Sequence, residues 1–268
     1  YVWGGLIASC QFILDLDNPW ALVGYNVNAM PIYRFIIQRT LLSKRCLEIR
    51  CMSEACKASL KELFGPRVYE KAIVCYPTAG IEAASGVRGN SGNGKHFLFI
   101  GSQFELKGGA ELLQAFKKVQ TSLPNISMDI ITHLPSRYIK EVEQLKEVKV
   151  YPPEFSREVI LNEFMRKADV LVHPSYMESF GMTILEGLSQ GLAIITNDIY
   201  ATKEMVKGEL NGVLMNPPIS KWNGVMPNKY FMQKAEYIEA IQKSDMEQYA
   251  TELANAMFRV VSDDTTPH

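Results

Sequence analysis

A surplus of charge is missing. The 28 Lys and Arg stand against 29 Asp and Glu, for a net charge of −1. Non-specific nucleic-acid binding feeds on excess positive charge, so nucleic acid is excluded as a partner of the chain as a whole. Long apolar runs are missing too. The longest candidate, Val2 to Leu16, falls short of the roughly 20 residues a membrane-spanning helix needs, and it carries Asp15. No basic stretch introduces an apolar core at the start, as a secretory signal requires. Cysteine is sparse and unpatterned. Cys10, Cys46, Cys51, Cys56 and Cys75 are odd in number, contain no Cys-x-x-Cys and have no His among them. That argues against a disulfide framework and a zinc site and for reduced, mostly buried thiols in a cytosolic protein. An initiator Met is absent as well, so the chain reads as a piece of a longer protein, cut inside a folded region.

What is present is an alternation of β-rich runs and helical patterns. Strands are predicted at 96–102, 126–132, 147–151, 168–174, 192–196 and 212–217. Helices are predicted at 108–119, about 136–146, from Ser156 onward, at 181–190 and at 200–206. Near-continuous apolar strands joined by helices mean a parallel sheet covered on both faces, a doubly wound α/β domain. In such sheets the ligand sits beyond the carboxyl ends of the strands. Upstream the same pattern is incomplete, with strands at 46–52 and 71–77 and a helix at 53–65. The expected organisation is a partial N-terminal domain over 1–77, a glycine-rich linker over 78–95 and a C-terminal domain over 96–268. Residues 217–230 read as a surface loop, followed by helices at 231–243 and 246–261.

Gly89 to Lys95 matches the start of a phosphate-binding loop, Gly-x4-Gly-Lys. The next residue is His96 rather than Ser or Thr, and the segment precedes a strand instead of following one, so it reads as linker. His133 and His173 end strands and read as edge residues that could line a cleft. Residues 18–47 hold Arg34, Arg39, Lys44 and Arg45 and no acid. They read as a helix packed on the N-terminal sheet with a basic outer face. The alternative is an interfacial helix on an anionic membrane.

The informative stretch is 173–191. Glu178 falls in the loop after a strand. A helix starts near Phe180-Gly181, where free N–H groups and the helix dipole form an anion site. Glu186 lies two turns along, on the face opposite Ile184, Leu185 and Leu188, towards solvent or a cleft. Glu178-Ser179-Phe180-Gly181, with Glu186 closing a Glu-x7-Glu spacing, resembles the signature of retaining GT-B glycosyltransferases of family 4, the glycosyltransferase group 1 domain. The resemblance extends to 99–116, to 195–217 with Glu204 and Asn211-Gly212, and more weakly to 52–60.

That resemblance implies a GT-B type α/β fold: a Rossmann-like C-terminal domain and a partial Rossmann-like N-terminal domain. It implies transfer of a hexosyl group from a nucleotide-diphosphate sugar, with the anomeric configuration kept. Glu178 and Lys107 are the implied catalytic residues, Glu178 on a donor-sugar hydroxyl and Lys107 against the diphosphate. Gly101, Ser102, Phe180, Gly181, Met182 and Thr183 line the donor, and Glu186 holds the ribose. Lys107 and the helix N-terminus would stabilise the leaving diphosphate without a metal. No cofactor is implied beyond the nucleotide sugar as co-substrate. The acceptor is a glycan, a lipid-linked or a small molecule, and the setting is cytoplasmic, with peripheral contact at the inner membrane face as the alternative to a fully free enzyme. Ser102 departs from the family's usual Arg. The base rests near 151–155, and acceptor choice belongs mostly upstream of Tyr1. A second reading is a non-catalytic or degenerate nucleotide-sugar-binding module.

Overall fold

The computed structural model describes residues 10–79, 95–123, 125–208, 210–228 and 234–262. The phosphate-loop-like segment therefore lies outside the described residues except for Lys95. So do most of the predicted linker and most of the Val2–Leu16 run.

Two parallel sheets carry the chain. The first has the order β1 (Phe12–Leu16), β2 (Cys46–Cys51), β3 (Ala72–Val74). β1 is absent from the sequence-based prediction. Its alternation buries Phe12, Leu14 and Leu16 on one face. Helix α1 (Met30–Leu42) connects β1 to β2, and α2 (Glu54–Phe64) with α3 (Pro66–Lys71) connects β2 to β3. Ser53 caps α2, its hydroxyl accepting from the Cys56 N–H. Leu41, Ile49, Leu60 and Val68 pack fully buried between sheet and helices. Cys46, Cys51 and Cys56 are buried free thiols, whereas Cys10 and Cys75 are exposed free thiols.

The second sheet has six parallel strands: β4 (Lys95–Gln103), β5 (Ile126–His133), β6 (Val148–Tyr151), β7 (Val170–His173), β8 (Ala193–Asn197) and β9 (Gly212–Met215). Their order is β6-β5-β4-β7-β8-β9, which is the doubly wound arrangement, with the direction of winding reversing between β4 and β7. Helices α4 (Gly109–Gln120) and α10 (Met246–Ser262) cover one face, where Phe97, Phe116, Leu253 and Met257 are fully buried. The other face takes the segment after Ser156 and α7 (Met182–Ser189), with Leu98, Met165, Ile184 and Ile194 at its centre. All six strands lie where the apolar runs predicted them.

Several connections differ from expectation. The helix expected over 136–146 is a 3-10 turn, Ser136–Tyr138, followed by the short α5 (Ile139–Glu143). Ser156 does cap the next helix, accepting from the Val159 N–H, but α6 (Arg157–Val159) runs on as a π-helical stretch, Ile160–Met165. The helix expected over 200–206 is only α8 (Thr202–Met205). Most of the predicted surface loop before α9 (Lys234–Lys243) is a structured strap holding a small hairpin, β10 (Trp222–Asn223) and β11 (Met226–Pro227). Its Trp222 packs against both halves of the chain. Among the described residues no helix is long and apolar enough to cross a membrane.

Candidate active site

The carboxyl ends of β4 and β7 stand side by side at the switch point, and each hands its chain into a tight loop. After β4 a 3-10 turn, Glu105–Lys107, ends on left-handed Gly108. A Cβ on Gly108 would lie 2.4 Å from the Pro174 carbonyl oxygen, so only glycine lets the two loops touch there. The Tyr176 N–H donates to the Leu106 carbonyl at 3.0 Å and closes the contact. Gly101 serves the same closeness. A Cβ there would meet Lys107 Cγ at 2.8 Å, so the glycine is the floor over which the lysine passes.

Lys107 crosses to the other loop. Its Nζ donates to Glu178 Oε2 at 2.6 Å and to the Met177 carbonyl at 3.2 Å. His173 Nε2 lies 3.0 Å from the same Oε2. Burial alone would raise the Glu178 carboxyl. The His173 hydrogen bond and the Lys107 charge outweigh it and bring it down to about 2. His173 is fully buried, and that burial lowers its own pKa. The imidazole is therefore neutral, with Nε2–H donating to the carboxylate. The result is a permanently anionic carboxylate held by a cation and a neutral donor. It can accept a hydrogen bond from a ligand hydroxyl but is poorly suited to carrying a proton.

Beside it starts α7. Gly181 is its N-cap, at φ 96°, and supplies no side chain to the first-turn N–H groups. The helix is therefore open to an anion, as its sequence predicts. Met182 is exposed and Thr183 half-buried, while Phe180 turns away and packs with Ala55, Tyr200 and Ala201. From Phe180 a ligand at the helix start can meet backbone only. Ser102 is exposed at the end of β4. Of the two surroundings its helical face allows, solvent or a cleft, Glu186 has the enclosed one. Its side chain is 14% exposed and pairs with Arg157 Nε at 2.5 Å. Arg157 opens α6, directly after the loop where Tyr151 and Phe155 gather with Phe164. His133 ends β5 exposed, level with Gln103 at the end of β4.

The seam between the two sheets runs past the same loop. Asn18 Nδ2 donates to Ser179 Oγ at 2.9 Å. Glu204 accepts from the backbone N–H groups of Glu54 and Ala55, both at 2.8 Å, and from the Tyr76 hydroxyl at 3.0 Å. It thus caps α2 from across the seam. Asp15-Leu16-Asp17 spells Asp-x-Asp, a spacing often read as a metal site. The Asp17 carboxylate instead takes Asn18 Nδ2 at 3.0 Å and the Tyr25 hydroxyl, and no cluster of three or more ligating side chains occurs among the described residues. Sequence reasoning missed the pairing of Arg157 with Glu186 and the direct hold of His173 on Glu178. The only signal for the latter was the position of His173 at the strand end.

A family model described as "Glycosyl transferases group 1" matches residues 81–223, just over half of the chain. Among curated relatives, the lipopolysaccharide glucosyltransferase WaaG of Escherichia coli K12 is 26% identical over 125 residues. That stretch is 46% of this chain and 33% of the relative. A D-inositol 3-phosphate glycosyltransferase of Xylanimonas cellulosilytica is 29% identical over 126 residues, 44% of this chain and 30% of the relative. The matched stretch is thus about a third of each relative's length. Among solved structures, Anabaena Alr3699/HepE in complex with UDP and glucose superposes with a TM-score of 0.57 at 17% identity, over 96% of this chain and 68% of that one. The last comparison bears on the fold alone.

Proposed function

The chain belongs to the glycosyl transferases group 1 family, and from that premise we propose that it carries the donor site of an enzyme moving a hexose from a nucleotide-diphosphate sugar to an acceptor, with the anomeric configuration retained. The observation that carries the proposal is the meeting of Lys107, His173 and Glu178 at the switch point, beside the open N-terminus of α7.

The residues divide the work. The diphosphate lies against Lys107 and the α7 N–H groups at Gly181, Met182 and Thr183. As the bond between the anomeric carbon and the phosphate oxygen breaks, negative charge builds on the leaving oxygen, and these donors are in place to meet it without a metal. The acceptor oxygen bonds to the anomeric carbon on the same face, and its proton passes to the departing diphosphate. A carboxyl held at about 2 is a weak base, so Glu178 orients the sugar and does not take that proton. Glu186 holds the ribose hydroxyls, and the loop at 151–155 meets the base. The exposed Ser102, at the position of the family's usual Arg, favours one second reading, a module that binds the donor without turning it over. Turnover of a nucleotide sugar by the protein decides between them.

The test is calorimetric titration with UDP, GDP and ADP, beside Glu186→Ala. One nucleotide should bind saturably, and the variant should weaken it by roughly 10- to 150-fold, the worth of a charge-assisted hydrogen bond. Equal binding by the variant removes Glu186 from the site. No binding of any nucleotide by folded wild-type chain removes the donor site.

The acceptor side carries a second element of the proposal, contact with an anionic membrane at the cytoplasmic face. α1 does pack on the first sheet, through Met30, Ile37 and Leu41, but its outer face is not merely basic. Ile32, Tyr33, Phe35 and Ile36 are all more than half exposed, among Arg34 and Arg39. Bulky apolar groups ringed by cations match the boundary of an anionic bilayer. The chain should sediment with phosphatidylglycerol-containing vesicles and not with pure phosphatidylcholine. A Phe35→Ser, Ile36→Ser chain should lose that binding with its melting temperature unchanged. Equal binding to both vesicle types, or undiminished binding by the variant, refutes the contact.

A further inference from the structure

The strap between β9 and α9 has no part in the donor site as assembled above, yet one of its side chains reaches that site. Trp222 donates its indole Nε1–H to the main-chain carbonyl of Glu178 at 2.8 Å. The same indole lies flat on Tyr200, with ring centroids 4.0 Å apart and planes 15° apart. Its edge meets Trp20 at 5.7 Å and 65°. Trp20 belongs to the first sheet's core and Tyr200 to the loop after β8, so one ring bridges both halves of the chain and the backbone of the candidate catalytic loop.

The bridge is tied at both ends. The Tyr200 hydroxyl lies 2.8 Å from Ser59 Oγ, and Ser59 on α2 donates to the Val225 carbonyl of the hairpin turn at 2.6 Å. Tyr200 itself sits at φ 48°, a left-handed conformation that a tyrosine holds only when its surroundings fix it. Asn18 adds a second tie from the first half to the residue after Glu178. The Glu178 loop is thus gripped from beneath by Lys107 and His173 through its carboxylate, and from the seam by Trp222 through its carbonyl.

We propose that Trp222 is a positioning residue for the donor sugar. Its N–H fixes the Glu178 backbone against the N-terminal half, so the seating of the two halves and the aim of the Glu178 carboxylate are set together. The inference rests on the donor-site reading above, in which Glu178 meets the sugar and not the nucleotide. That division of labour gives it a signature. Loss of the indole N–H should disturb recognition of the sugar and leave the nucleotide diphosphate alone.

The experiment titrates wild type, Trp222→Phe and Trp222→Ala with UDP, GDP and ADP and with UDP-glucose, GDP-glucose and ADP-glucose, and records each melting temperature. Phenylalanine keeps a ring in the stack and loses only the donor. With the nucleotide that wild type prefers, Trp222→Phe should bind the diphosphate within twofold of wild type. It should bind the glucose conjugate roughly five- to tenfold more weakly, the worth of one hydrogen bond. Trp222→Ala removes the ring contacts as well and should lower the melting temperature. Equal weakening of diphosphate and conjugate by Trp222→Phe means a merely structural residue and overturns the inference. Unchanged binding of both overturns it too. If wild type binds none of the six ligands, the donor-site reading fails and this inference falls with it.

Discussion

Replacing Lys107 by methionine is expected to lower sugar transfer by roughly 10²- to 10³-fold, the usual effect of removing one donor aimed at developing charge. The same change should destabilise the fold. Lys107 and Glu178 form an ion pair at 2.6 Å with side chains only 19% and 17% exposed. Removing one partner of a buried pair costs about 3–5 kcal/mol, because the other charge stays desolvated. The two effects separate in a double variant. Lys107→Met with Glu178→Gln removes the stranded charge, so the melting temperature should recover much of its loss while transfer stays low. Acid titration gives a further handle. The Glu178 carboxyl is depressed to about 2 in the fold, below its ordinary unfolded value. Its stabilisation is present above the unfolded value and is lost as pH falls towards 2. Without Lys107 the folded value rises towards the unfolded one, so the loss should be smaller and should be complete at a higher pH. Transfer by Lys107→Met within twofold of wild type would remove the lysine from the reaction.

How much of this was legible in the sequence depends on how far apart the cooperating residues lie. The fold class was readable because each strand is a short apolar run and each crossover a helical pattern, as in 96–102 leading into 108–119. The strand order was not, since which runs lie side by side is decided by packing over long separations. β1 was hidden because Phe12–Leu16 closes a longer apolar stretch, where alternation has no polar background to stand against. Glu178, Gly181 and Glu186 stood out because one loop and one helix carry all three. Lys107 lies 71 residues from Glu178 in the chain, and a lysine at a helix start is by itself most often solvated. Gly101 is needed because the Lys107 side chain crosses it, a reason visible only in three dimensions. Trp222 looked like part of a proline-marked loop, and nothing local says that its ring bridges Trp20 and Tyr200.

Replacement of Glu111 by glutamine should raise the melting temperature at pH 8 and leave it nearly unchanged at pH 4–5. Glu111 stands in the first turn of α4, only 4% exposed, and its Oε2 has no hydrogen-bond partner. Burial pushes its carboxyl up to about 7, against the opposing pull of its own backbone N–H and of Tyr176. Glu105 and Glu141 add to the rise, and on the other elements it faces Tyr176 and Tyr249. Between the unfolded value near 4.5 and about 7 the folded chain keeps a proton that the unfolded chain has released. Stability therefore falls as pH rises through that window, and the penalty is complete above it. Glutamine has the same shape and never ionises. The gain at pH 8 should be about 2–3 kcal/mol, or roughly 5–10 °C for a fold of this size. A gain that does not depend on pH would refute the assignment. Tyr176 connects this carboxyl to the site, for its N–H holds the residue before Lys107 and it stands two residues before Glu178. The Tyr176 hydroxyl is buried near this carboxyl and, like Oε2, has no hydrogen-bond partner among the described residues.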